Sequence, residues 1–195
     1  MKKLLLLFVV TLMSVMATAY DLSDNNGLHY NIKGDGTLEV VGLESEKRTA
    51  DILSDVTING NTYQVTSIGA YAFEGRSDIT YLSIPWSIAS IGEYAFIDCG
   101  SSITVNIADP ESWCQMKLGN EHSSPLSSAG KVLVHDIETT NIIIPAGVTS
   151  IGSYTFYQCR CIWSLTIPNS VTSTLKGMRA NRSHSVCPTI DSNIA

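Results

Sequence analysis

Apolar positions along the chain fall into two short patterns that return in a fixed order. The first is Ile79-Thr80-Tyr81-Leu82-Ser83-Ile84-Pro85. It returns as Ile162-Trp163-Ser164-Leu165-Thr166-Ile167-Pro168, and in part as Asn141-Ile142-Ile143-Ile144-Pro145. Apolar residues at places 1, 4 and 6 predict a short strand, with Leu82 and Ile84 on one face and Tyr81 and Ser83 on the other. Pro85 ends the pairing, because it has no N–H to donate. The second pattern is Ser67-Ile68-Gly69-Ala70-Tyr71-Ala72-Phe73, matched by Ser90-Ile91-Gly92-Glu93-Tyr94-Ala95-Phe96 and Ser150-Ile151-Gly152-Ser153-Tyr154-Thr155-Phe156. It reads as a return half-turn with Ile91, Ala95 and Phe96 inward. Gly69, Gly92 and Gly152 suit a backbone of positive φ or a close approach.

The first two copies of this second pattern start 23 residues apart. The third starts 60 residues later, two periods plus fourteen residues. One such unit cannot bury enough apolar surface to offset the entropy of ordering it, so the units must stack on one another. The expected fold is therefore β-rich with minor helix: a solenoid of ~23-residue units with short parallel strands.

The period and the Ser-Ile-Gly-x-Tyr-Ala-Phe and Leu-x-Ile-Pro elements resemble the BspA-type leucine-rich repeats of bacterial surface proteins. The resemblance covers residues 65–173. It implies an exported adhesin that binds matrix proteins or other cells. Family repeats usually carry a Cys three residues after the Phe; Cys99 and Cys159 match, whereas Arg76 stands there in the first unit.

The flanks are less regular. Residues 20–64 read as an antiparallel β cap. Leu28, Tyr30 and Ile32 alternate with polar residues, Gly34-Asp35-Gly36 is a turn, and Asn59-Gly60 sits between alternating apolar residues as a hairpin signal. The surplus residues are expected at 108–134, as one long irregular repeat. There Asp109-Pro110-Glu111 has the form of a helix start, and Trp113 and Met116 could dock on the core. The segment 174–195 departs from the repeat and turns basic and polar. It reads either as a disordered terminus or as an array cut short. Lys2, Lys3, an apolar run from Leu4 and the small residues Ala17-Thr18-Ala19 predict a signal peptide over 1–19, cut between Ala19 and Tyr20. The solenoid proper is assigned to 65–173.

Charge narrows the partners. The net charge is -6, and the mature chain, without Lys2 and Lys3, has 10 basic against 18 acidic residues. Such a surface disfavours nucleic acid and anionic lipid, and no membrane insertion is expected after signal removal. The five cysteines and four histidines show no metal-ligand spacing, so no metal and no cofactor are expected. No nucleophile elbow, zincin helix or phosphate loop is present, and the chain is read as a non-enzyme. The candidate binding residues are the outward strand positions Tyr81, Ser83, Asn141, Trp163, Ser164 and Thr166, where aromatics flanked by hydroxyls suit an interface. The favoured reading is a secreted or cell-surface module that recognises an extracellular protein or glycan through this face. A structural spacer without a specific ligand is the alternative, and an exported carbohydrate-active enzyme a weaker one.

Overall fold

Two sheets of parallel strands, each coil adding one strand to each sheet, form the body of the chain. The computed structural model describes residues 20–174 and 189–190. The expected leader at 1–19, and the tail apart from Thr174 and Thr189–Ile190, lie outside the described residues. One sheet stacks Thr49–Asp51, Tyr81–Ile84, Ile103–Ile107 and Ala129–Val134, all parallel. The other stacks Leu38–Leu43, Asn61–Ile68, Ser90–Ile91 and Lys117–Leu118. Leu82 lies beside Val105 and Ile84 beside Ile107, while Ile68 lies beside Ile91 and Ile91 beside Leu118. The inward residues of both sheets merge into one buried core, each such side chain contributing about 1.5–3 kcal/mol on burial.

Antiparallel strands open the fold. Leu28–Ile32 pairs with Leu38–Leu43, and Asp55–Ile58 pairs with Asn61–Ile68. Asn59 and Gly60 between the latter two both have positive φ, the backbone that a two-residue hairpin turn requires. Leu38–Leu43 is shared. It is antiparallel to the strand before it and parallel to Asn61–Ile68, so the first coil begins inside this opening segment.

Of the two roles open to the repeat glycines, the structure shows close approach. The left-handed residues are Tyr71, Tyr94 and Tyr154, with φ of 59°, 57° and 65°. A Cβ on Gly92 would lie 2.3 Å from the Ala70 backbone nitrogen, and one on Gly152 would lie 2.4 Å from the Met116 carbonyl oxygen. Four residues after each tyrosine the chain turns left-handed again, at Gly75, Asp98 and Gln158. This double twist brings the phenylalanines inward, and Phe73 and Phe96 stack with ring centroids 5.1 Å apart.

The cysteine position follows the same logic. The Cys99 thiol donates to the Phe73 carbonyl of the preceding coil, and that of Cys159 to Phe156. In the first unit the equivalent Arg76 faces the opening segment rather than another repeat. Its guanidinium donates to the carbonyls of Leu43 and Lys47 at 2.7 and 2.6 Å and pairs with Asp78. A thiol could not reach both carbonyls.

Both sheets break at the same place. Beyond it, Asn141–Ile143, Ser164–Thr166 and Thr189–Ile190 form a separate parallel sheet, and Ser150–Ile151 pairs with Ser173–Thr174. The surplus residues divide in two. Ile91 to Leu118 spans four residues more than the 23-residue period, taken up by the helix Pro110–Gln115. Leu118 to Ile151 spans ten more, taken up by Ala129–Val134 folding back on Ile137–Glu138. The helix starts as its sequence dictates. The Asp109 carboxylate accepts the backbone N–H groups of Glu111 and Ser112, Pro110 is the first helical residue, and Trp113 and Met116 are buried.

Candidate binding face and cleft

The outward positions of the first strand sheet line up in two columns set by register. Thr49, Tyr81, Thr104 and Lys131 form one, and Asp51, Ser83, Asn106 and Leu133 the other. Tyr81 is half-buried. Asn106 donates from Nδ2 to Tyr81 Oη at 3.3 Å and to Asp136 Oδ1 at 2.7 Å, and its own Oδ1 accepts the Asp136 N–H. This network fixes the face across two coils and the hairpin turn. Ser83, expected to be presented to a partner, is only 9% exposed. Its short side chain stands in register between the longer Asp51 and Asn106, which overshadow it, so it offers little to a ligand.

The sheets before the break form a first arm, and the strands beyond it, from Asn141 on, form a second, which carries the other expected residues. Asn141 and Thr166 are exposed, and Ser164 donates from Oγ to Asn141 Oδ1 at 2.8 Å. Ile143, in register with Thr166, is 71% exposed. Trp163 is 62% exposed but lies just before the strand, where its N–H donates to the Thr140 carbonyl. The six expected residues thus form two groups, Tyr81 with Ser83 and Asn141 with Trp163, Ser164 and Thr166, on either side of the 129–138 hairpin. Trp86 is also exposed at a strand exit. Asn106 and Asp136 had not been picked out from the sequence. Asn106 could have been, since it lies one 23-residue period after Ser83.

A cleft of about 480 Å³ opens where the two arms meet. Its wall comes from the segments leading into four successive strands. The cleft is lined by Ser101 and Ser127, by Thr139 and Thr140, and by Arg160, Cys161 and Trp163, with Lys131 and Glu138 from the hairpin. Lys131 and Glu138 form an ion pair at 3.1 Å.

The chemistry of the remaining polar groups is quiet. Burial pushes the Cys99 thiol up to about 11 and the Cys114 thiol up to about 12, so both stay protonated at neutral pH and are poor nucleophiles. Among the described residues no three His, Cys, Asp or Glu side chains are grouped to hold a metal ion, and no helix is long and apolar enough to cross a membrane.

Comparison with known proteins bears on this arrangement. The model of the BspA type leucine-rich repeat region matches six copies over residues 50–117 and 123–193. The chain belongs to the BspA-type leucine-rich-repeat family. A solved leucine-rich cell surface protein from Faecalibacterium prausnitzii is similar to this BspA-type chain at 25% identity and a TM-score of 0.54. That match covers 80% of this chain and 44% of the other. A leucine-rich repeat protein from Bacteroides ovatus is 27% identical with a TM-score of 0.46, covering 82% of this chain and 44% of the other. The BspA-type chain therefore spans less than half the length of either. No curated protein matches it. The family is one of repeat proteins, and the Faecalibacterium prausnitzii neighbour is a leucine-rich cell surface protein, which fits a surface or exported location.

Proposed function

We propose that this chain is an exported binding module that holds an extracellular protein or glycan on its outward strand face. One observation carries the reading: Ile143 stands 71% exposed on the outward side of Asn141–Ile143, in register with the exposed Thr166 and two residues from the hydrogen-bonded Asn141–Ser164 pair. A large apolar side chain ringed by polar neighbours is how interface anchors are arranged, and covering it contributes about 2 kcal/mol. The Tyr81–Asn106–Asp136 network holds the first-arm face in one geometry, which lowers the cost of ordering it on binding. The leader at 1–19 would deliver the chain to the surface, as the family suggests.

The test is a binding screen of the mature chain against immobilised matrix proteins and neutral glycans, repeated with Tyr81→Ala combined with Ile143→Ser. Loss of a detected affinity by more than about tenfold, or 1.4 kcal/mol, is expected. An unchanged affinity rules the strand face out and leaves a spacer role.

A further inference from the structure

The cleft between the arms has a composition unlike the strand face: Lys131 ends one outward column, whereas Ser101, Thr139, Thr140, Arg160 and Trp163 come from the strand-entry segments. Three features define what it can hold. Its broad apolar element is Trp163, while of the other apolar residues of the lining Ala129 and Val132 are buried and Cys161 is half-buried. A flat indole suits the face of a ring, whose C–H groups meet the negative π-face of the indole. The hydroxyls of Ser101 and Thr140 are exposed and engage no protein group among the described residues, leaving them to meet ring hydroxyls. Arg160 is the third feature. Lys131 is tied to Glu138 at 3.1 Å, whereas Arg160 is exposed and has no ion pair among the described residues.

We propose that this cleft binds an acidic saccharide, one ring stacked on Trp163 and its carboxylate held by Arg160. A guanidinium matches a carboxylate in a two-pronged hydrogen bond. The cleft volume lies within the ~300–1,000 Å³ range of small-ligand sites. Glu138 and the chain's net charge of -6 oppose densely charged chains such as sulfated polymers, so the class is a sugar with one carboxylate per ring, a uronic acid.

Calorimetry with the full chain decides the matter, using trigalacturonic acid and its methyl ester, which keeps every ring but loses the charge. The acid is expected to bind at least about tenfold more tightly than the ester. Arg160→Gln removes that preference and leaves ester binding in place, while Trp163→Ala weakens both ligands at least about tenfold. Both side chains are exposed, so thermal midpoints stay at the parent value. The proposal is overturned if neither ligand binds at about 10 mM, if acid and ester bind equally, or if Arg160→Gln keeps the preference. Tyr81→Ala with Ile143→Ser is expected to leave trigalacturonate affinity unchanged. A loss there would place the sugar on the strand face and overturn the cleft assignment, while the protein partner test stands separately.

Discussion

The three repeat glycines occupy one sequence position but different surroundings, and replacing each with alanine separates motif from geometry. A Cβ on Gly92 would sit 2.3 Å from Ala70 N, 2.7 Å from Ala70 Cα and 2.7 Å from the Gly69 carbonyl carbon, all backbone of the coil below. An ordinary contact needs about 3.4 Å or more, so the coils would have to part by about 1 Å. The Gly92 N–H bond to the Ile68 carbonyl, 2.8 Å long, lies in the same gap and would stretch with it. Overpacking against rigid backbone costs about 3 kcal/mol. For a chain of this length that lowers the thermal midpoint by about 6–12 °C. Gly152→Ala meets the Met116 carbonyl at 2.4 Å and should behave alike. Gly69→Ala meets the end of the Glu39 side chain at 3.2 Å, which can swing aside, and the Val40 carbonyl oxygen at 3.3 Å, within a few tenths of an ordinary contact, so its cost stays at about 1 kcal/mol. Gly34, with nothing within 4 Å of an added Cβ and no positive φ, is the control, and alanine there should stabilise by about 0.5 kcal/mol. Circular dichroism melts of the four variants give the ranking. Equal midpoints for Gly69→Ala and Gly92→Ala would refute the close-approach account.

Two further substitutions probe the turns. Asp98 is exposed and holds the left-handed backbone that its counterpart Gly75 adopts freely. Asp98→Gly should therefore raise stability by about 0.5 kcal/mol, the relief of left-handed strain less the added freedom of the unfolded chain, read as a small rise in urea midpoint. Asp109→Ala should cost about 1 kcal/mol through loss of the helix cap. Burial works to raise the Asp109 carboxyl, but hydrogen bonds from the Ser112 side chain and backbone and from the Glu111 N–H outweigh it and hold the group below its ordinary 3.8. A depressed native pKa stabilises the fold above the unfolded value and ceases to do so as pH falls through the native one. The gap between parent and Asp109→Ala should accordingly be full at pH 6 and shrink below about pH 4; a gap independent of pH would show that the charged cap is not responsible.

The regular coils were legible because their inward residues repeat almost letter for letter, and burial tolerates little else at Ile68, Ile91 and Ile151. What escaped the eye was degenerate in letters but not in physics. Lys117-Leu118-Gly119 keeps only the apolar residue and the glycine of Ser-Ile-Gly, yet it takes the strand position beside Ser90–Ile91. The 129–138 hairpin has a turn of His135 and Asp136, both at positive φ, in place of the Asn-Gly that advertises such turns. The left-handed tyrosines carry no letter that marks positive φ, and the glycines two places earlier left that role and close approach both open. At the candidate face, alternation identified the outward positions but not their depth. Ser83 and Asn106 both point outward, and their burial depends on side-chain length in the neighbouring coils, which no single strand reveals.

The simultaneous break in both sheets has a mechanical meaning. In a stacked array each coil is held by its neighbours, so cooperativity is passed hand to hand along strand hydrogen bonds. At the joint that chain of custody rests on the Gly152 N–H to Cys114 carbonyl bond, the Ser124 hydroxyl to Thr155 carbonyl bond and buried side chains, with no strand ladder across it among the described residues. Under tension along its axis the molecule has a built-in fuse: the arms part there first, and the cleft lined by Trp163 and Arg160 is the place where that parting would be felt.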